Sequence, residues 1–301
     1  MLRKGNQVGI VCCSNGQEPE QERIIQQLIE KLQEMGLKAV LSPYLYIKEG
    51  TVFSGTAMQR AAALMDFYQD SGIATIFDIS GGDVANMILP YLDYDVIARN
   101  PKPFWGYSDL TTILNAIYTK TGNRGVLYQV KNLVWNESGV QHNRFKQQID
   151  CVGTEASLYG ISYRFLQGTS MEGAVVGGNI RCFLKLAGTE YWPDLTGKVL
   201  LLEGLGGGVA QYAAYLAQLK QLHVFGQVSG ILLGTFIQME REHQTPTVEE
   251  MLLGLLHESK QKSIRQLPVA KTCEIGHGTD SKAIEIGAEL KLQLPQNEIV
   301  G

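Results

Sequence analysis

Charge is scarce in this sequence. Only 19% of its 301 residues are charged, and 26 Lys and Arg stand against 30 Asp and Glu for a net charge of -4. That balance gives no basic footprint for nucleic acid and no polybasic surface for anionic lipid, so a small-molecule or peptide partner is expected. Cysteine is equally sparse. Cys12, Cys13, Cys151, Cys182 and Cys273 form an odd set with neither disulfide nor zinc-ligand spacing. They read as reduced thiols of a cytosolic protein, mostly in apolar runs where a thiol is buried and inert. No apolar run reaches the length of a membrane span. The stretch 8–13 is too short for a signal-peptide core and has no cleavage-site pattern behind it, which points to the cytoplasm. His, Cys, Asp and Glu nowhere cluster with metal-ligand spacing, so neither a metal nor another cofactor is expected.

What is present is apolar material in short, regularly punctuated runs. Hydrophobic residues make up 45% of the chain, enough for one large core or two ordinary ones, and two domains fit this length. Residues 8–13, 37–41 and 73–79 read as strands, the last almost uninterrupted in its apolar character, as a strand buried on both faces requires. Between them, 18–35 and 57–68 read as helices, the first with Ile24, Leu28 and Leu32 at a spacing of four. Phe104-Trp105-Gly106-Tyr107-Ser108-Asp109, followed by the helical periodicity of 110–118, reads as strand, sharp turn, helix. The stretch 134–148 is polar and weakly patterned, and 155–168 carries little regular signal. Beyond it, 174–179, 198–203, 231–236, 267–275 and 283–292 read as strands. Helices are expected over 209–222, with Tyr212, Leu216 and Leu219 inward, and over 247–258, with Leu252 and Leu255 inward.

Strands alternating with amphipathic helices are the pattern of α/β folds. The expected architecture is an amino-terminal, doubly wound, mostly parallel sheet domain over 1–150, a connection over 151–166, and a smaller carboxy-terminal α/β domain over 167–301.

Four places could carry chemistry. Ser108 sits at the predicted strand-to-helix turn, where its hydroxyl is held above the sheet edge and free N–H groups of the helix start face a developing oxyanion. The same serine is equally a favoured helix N-cap, and the stricter G-x-S-x-G pattern is not present. His277 lies between Gly276 and Gly278, which leaves its imidazole accessible as a general base or simply exposed on a loop. Glu203 ends the run Val199-Leu200-Leu201-Leu202, at the strand end where ligands gather in α/β folds, and could orient a histidine or merely cap a helix. Gly81-Gly82-Asp83 is a turn able to present backbone N–H groups into a cleft. The run Gly204-Leu205-Gly206-Gly207-Gly208 lacks the Lys and Ser/Thr of a P-loop and the order G-x-G-x-x-G, which argues against a nucleotide cofactor.

Several ordered motifs together resemble the LD-carboxypeptidase and microcin C resistance peptidase family. In the first half these are Gly81-Gly82-Asp83, Leu89-Pro90-Tyr91-Leu92-Asp93, Asn100-Pro101-Lys102-Pro103 and Gly106-Tyr107-Ser108-Asp109. In the second they are Gly177-Gly178-Asn179, Gly188-Thr189, Pro193-Asp194-Leu195, the approach from Gly197 to Glu203, the run 230–234, Pro268-Val269 and Gly276-His277-Gly278. The resemblance implies a serine peptidase, usually a cytoplasmic homodimer, with Ser108 as nucleophile, His277 as base and Glu203 as its orienter. It also implies an oxyanion hole formed by the backbone N–H groups of Gly82 and Asp109. Its implied substrate is the murein tetrapeptide of peptidoglycan recycling, cut at the terminal L,D-peptide bond. The alternative within the family is an aminoacyl-nucleotide toxin, for which Trp135 would stack on the base. Outside it stands a non-catalytic ligand-binding protein in which Ser108 only caps a helix. Where the family commonly carries threonine-phenylalanine-histidine-glycine-proline, this chain has Leu127-Tyr128-Gln129-Val130-Lys131-Asn132. Family members often follow the strand-end acid with further acids, which Gly204 to Gly208 do not supply, and Gly82-Asp83 stands where murein-recycling members pair glycine with tyrosine.

Overall fold

A computed structural model describes residues 2–136, 139–150 and 157–294. Its strands are β1 (Gln7–Val11), β2 (Lys38–Leu41), β3 (Ile73–Asp78), β4 (Phe104–Gly106), β5 (Gly125–Leu127), β6 (Arg164–Gln167), β7 (Ser170–Asn179), β8 (Val199–Gly204), β9 (Gly230–Phe236), β10 (Val269–Lys271), β11 (Ile284–Ile286) and β12 (Glu289–Gln293). Among the described residues they form two six-stranded sheets, ordered β11-β5-β4-β3-β1-β2 and β12-β7-β8-β9-β10-β6. β1 to β5 are parallel within the first sheet and β7 to β10 within the second. The other three strands, β11, β12 and β6, pair antiparallel at the edges. The α/β architecture expected from the alternating pattern is therefore present.

Helices cover these sheets: α1 (Glu22–Glu34), α2 (Ala57–Gln69), α3 (Tyr94–Arg99), α4 (Thr111–Thr121), α5 (Asn132–Trp135), α6 (Val140–Asp150), α7 (Ile180–Leu184), α8 (Val209–Gln221), α9 (Ile237–Arg241), α10 (Val248–His257) and α11 (Lys262–Arg265). The central strands must be apolar on both faces because both carry helices. Val199, Leu200, Leu201 and Leu202 of β8 are accordingly all buried, each side chain worth roughly 1.5–3 kcal/mol of transfer energy. The inward face of α8 is Tyr212, Leu216 and Leu219, as its spacing predicts.

Several elements differ from the sequence reading. The buried stripe of α1 is Ile25, Leu28 and Leu32 rather than one through Ile24, and α10 buries Val248, Leu252 and Leu256 with Leu255 packed against the core at its edge. The weakly patterned stretch 134–148 contains most of α6, which buries Phe145 in the core and sends the polar Gln141 and Arg144 to a neighbouring loop. The expected late strand 267–275 shortens to β10. The one expected over 283–292 divides into β11 and β12 at Gly287, whose φ of +87° and lack of a Cβ let the chain turn over the Tyr118 ring. β11 crosses back to pair with β5 of the first sheet, and β6, at the end of the expected connection, belongs to the second. Within that connection, 151–156 lie outside the described residues. Cys12, Cys13 and Cys182 are buried and Cys273 is exposed, while Cys151 lies outside the described residues. No described helix is long and apolar enough to cross a membrane.

Candidate active site

The singled-out residues lie at or just beyond the carboxyl ends of parallel strands, where loops of both sheets meet. In the first sheet Ser14 follows β1, Gly81-Gly82 follows β3 and Ser108 follows β4. The order reverses between β1 and β3, the switch point at which open α/β sheets leave a crevice. In the second sheet Asn179 ends β7, Glu203 lies near the end of β8, and His277 follows β10.

The clearest contact joins the two second-sheet residues. His277 Nδ1 lies 2.6 Å from Glu203 Oε2, and both side chains are almost wholly buried. With Nδ1 so engaged, Nε2 is the ring nitrogen left to exchange a proton, and it has no hydrogen-bond partner among the described residues. The loop that presents His277 is tightly built. Thr235 N–H donates to Ile275 O at 2.8 Å, and Ser281 Oγ–H donates to Gly276 O at 2.7 Å. Gly276 has φ of +144° and packs against Thr235, so a side chain there would be both strained and obstructed.

Helix α6 of the first half braces the same loop. Gln141 is fully buried, and its Nε2 donates to Thr279 O at 3.0 Å and Ser281 O at 2.7 Å. Arg144 adds a bond to Asp280 O at 2.9 Å. Sequence reasoning missed this brace, because a helix that spends its polar residues on distant carbonyls shows little apolar periodicity.

Ser108 occupies the turn between β4 and α4 with φ of +54°, a region that non-glycine residues rarely adopt and that costs about 1–3 kcal/mol to hold. Its side chain is largely buried, its Oγ makes no hydrogen bond among the described residues, and it does not cap the helix through its side chain. The preceding Tyr107 places its ring 4.9 Å from that of His277, bringing the serine turn against the histidine loop. Ser108 and His277 are not hydrogen-bonded to each other.

Gly81 lies against Tyr107 and Ser108, within ordinary contact distance for an added Cβ. Gly82 has φ of +115°, and its N–H donates to no protein acceptor among the described residues. The N–H of Asp109 belongs to the first turn following Ser108, where helical geometry supplies no acceptor. The Asp109 side chain points away into the protein. Its Oδ2 accepts from Ser14 Oγ at 2.6 Å and from Ala85 N–H at 2.7 Å, and its Oδ1 accepts from Lys185 Nζ at 2.6 Å. Sequence reasoning overlooked Ser14 and Lys185, which have no motif of their own.

The halves are further locked by Gly177-Gly178-Asn179. Asn115 accepts from Gly177 N–H and donates to Gly177 O, both at 2.9 Å, and Thr111 Oγ1 accepts from Asn179 N–H at 3.1 Å. A side chain at Gly178 would strike Thr111, so small residues here allow α4 to sit directly on β7. Trp135 is half-buried with Lys131 Nζ 4.7 Å over its ring, which occupies one of the faces a stacked base would use. Among the described residues no group of His, Cys, Asp and Glu is arranged to hold a metal ion.

A buried carboxylate-imidazole pair and a serine in a strained strand-to-helix turn, on a two-sheet α/β scaffold, are the parts of a serine hydrolase. Comparison with known proteins narrows the class. Residues 8–129 match the LD-carboxypeptidase N-terminal domain and 172–292 match the LD-carboxypeptidase C-terminal domain. The chain belongs to the LD-carboxypeptidase family and is a serine-type carboxypeptidase.

It is 25% identical over 255 residues to the murein tetrapeptide carboxypeptidase of Pseudomonas aeruginosa, covering 80% of this chain and 79% of that one. It is 26% identical over 306 residues to the microcin C7 self-immunity protein MccF of Escherichia coli, covering 90% and 86%. In fold it is similar to MccF in complex with aspartyl sulfamoyl adenosine, with a TM-score of 0.83 at 24% identity over 97% of this chain and 94% of that one. It is similar also to muramoyltetrapeptide carboxypeptidase from Oxalobacter formigenes, with a TM-score of 0.78 at 19% identity over 96% of each chain.

Proposed function

We propose that this protein removes the terminal D-amino acid from murein tetrapeptides by two-step acyl transfer at Ser108. The observation that carries the reading is the buried Glu203-His277 hydrogen bond of 2.6 Å with Nε2 left free, beside a serine turn whose hydroxyl is uncommitted. In the first step His277 Nε2 takes the Ser108 proton as Oγ attacks the carbonyl of the L,D-peptide bond. The N–H groups of Gly82 and Asp109 receive the oxyanion, and Glu203 stabilises the imidazolium. The imidazolium then protonates the departing amine, and water attacks the acyl-enzyme with His277 again acting as base.

In this reading the nucleophile comes from a first unit over 1–150 and the acid and base from a second over 167–301, joined through 151–166. The family resemblance supports a cytoplasmic homodimer acting in peptidoglycan recycling, and the carboxypeptidase relative supports the peptide substrate. The test is release of the terminal D-amino acid from purified murein tetrapeptide. Ser108→Ala is expected to abolish it. Undiminished release by that variant removes the serine mechanism, and cleavage of an aminoacyl sulfamoyl nucleoside in place of the peptide would transfer the same mechanism to the toxin substrate.

A further inference from the structure

Gly82 and Asp109, the two residues whose N–H groups would form the oxyanion hole, belong to the first sheet, but cations of the second sheet hold both. Lys185 directly follows α7. Its Nζ donates to Asp109 Oδ1 at 2.6 Å and to Asp83 O at 2.8 Å, and lies 3.8 Å from Asp83 Oδ1. One turn earlier on the same helix, Arg181 donates from Nη2 to Gly82 O at 3.1 Å and pairs through Nη1 with the Asp83 carboxylate. α7 is itself fixed at its start, where Asn179 Oδ1 accepts from Cys182 N–H at 3.3 Å, and Asn179 is in register with Glu203. One short helix thus connects the strand-end acid to both hole segments.

The hole segments need such a constraint. Gly82 adopts φ of +115° without a side chain to anchor it, so the direction of its N–H is set by what grips its neighbours. Asn15 supplies one grip from the first sheet: its N–H donates to Gly81 O at 3.0 Å, and its Oδ1 accepts from Asp83 N–H at 3.1 Å. The first of these bonds polarises the peptide whose N–H is that of Gly82 and strengthens it as a donor. Arg181 and Lys185 supply the opposing grip on Gly82 O, Asp83 O and the Asp83 carboxylate. On the other donor, the three bonds to the Asp109 carboxylate fix the start of α4 relative to β1, to the segment after Gly82, and to α7.

We infer that Lys185 and Arg181 are positioning residues that set the oxyanion hole from across the cleft, so that the hole is complete only when the two sheets are docked. This rests on the reading of Ser108, Gly82 and Asp109 given above. Neither cation touches the reacting atoms in this account. They act through the placement of two backbone donors, and a displacement of about 1 Å at such a site costs on the order of a hundredfold in rate.

The test measures turnover of murein tetrapeptide by Lys185→Met, Lys185→Arg and Arg181→Gln beside the unaltered protein and Ser108→Ala. It also measures affinity for a peptide aldehyde, which forms a tetrahedral oxyanion on the serine, and for the cleaved tripeptide, which does not. Lys185→Met is expected to lower kcat roughly ten- to hundredfold with KM changed by less than about threefold. Aldehyde affinity should fall in parallel, tripeptide affinity should hold, and Lys185→Arg should recover part of the loss. Arg181→Gln, at a partly exposed site and so tolerant of substitution, should give a smaller loss of the same kind and decides the matter if Lys185→Met does not fold. Ser108-dependent turnover with kcat and aldehyde affinity unchanged in the folded variants overturns the clamp alone. Absence of Ser108-dependent turnover in the unaltered protein overturns the clamp together with the mechanism beneath it.

Discussion

Replacing Glu203 with glutamine should separate catalysis from folding. Glu203 is 1% exposed, its Oε2 meets His277 Nδ1 at 2.6 Å, and its Oε1 is buried without a hydrogen-bond partner among the described residues. An uncompensated buried carboxylate oxygen is costly, whereas a neutral amide of the same shape is cheaper to bury, so Glu203→Gln should retain or slightly raise thermal stability. Catalysis should suffer whichever way the amide turns. With its oxygen toward Nδ1–H the imidazolium loses its stabilising charge. With its NH₂ toward Nδ1 the ring must carry its proton on Nε2 and cannot accept one from Ser108. In the Ser-His-Asp template the equivalent exchange lowers kcat by about 10⁴, or about 5.5 kcal/mol at roughly 1.4 kcal/mol per decade. We expect a fall of roughly 10³ to 10⁴ in kcat for release of the terminal D-amino acid, followed chromatographically, with Tm preserved in a parallel melt. A kcat within a few-fold of the unaltered protein would refute the orienting role. Collapse of Tm together with activity would make Glu203 a structural residue instead.

Other substitutions probe the surrounding framework. Gly82→Ala places a Cβ against the Asn15 side chain at φ of +115°; it should cost roughly 1–3 kcal/mol in denaturant unfolding and about a hundredfold or more in kcat. Gln141→Leu orphans the carbonyl of Ser281 and the hydroxyl of Tyr128 and leaves Thr279 O only its bond from Asn136, so a loss of about 2–4 kcal/mol and faster amide exchange in 276–282 are expected. Burial pushes the Lys131 ammonium down from 10.5 to about 8, with Gln17 Oε1 accepting from it at 2.8 Å. A depressed lysine disfavours the folded state below its folded value, and that penalty fades as pH rises from about 8 toward 10.5. At 1.36 kcal/mol per pKa unit the penalty near pH 7 approaches about 3 kcal/mol, offset partly by the contacts to Gln17 and Trp135. Lys131→Met should therefore be more stable by roughly 1–3 kcal/mol in urea at pH 7, with an advantage that shrinks by pH 10.5; an advantage independent of pH would contradict this.

Residues that fill the core were the most legible. β8, α8 and β3 follow from apolar runs and helical spacing because burial on two faces or one stripe leaves a periodic trace. α6 and β5 did not. The first carries polar groups aimed at the carbonyls of the His277 loop, and the second is three residues long and buried in a sheet that long-range pairing completes. The joining of Glu203 to His277 across 74 positions leaves no local signature, and only the ordered family motifs brought the two together. The same limit hid Lys185 and Arg181. On the sequence they are ordinary cations of a short segment, and their connection to Gly82 and Asp109 exists only once residues 99 and 76 positions apart are brought together by the docking of the two sheets.

Labelling with a fluorophosphonate, located by peptide mass spectrometry, shows whether Ser108 is the nucleophile. One covalent adduct is expected, on Ser108, absent from Ser108→Ala and formed much more slowly in His277→Ala. Hydrolysis of the tetrapeptide that continues while Ser108 stays unmodified, or an adduct on another residue, would contradict it.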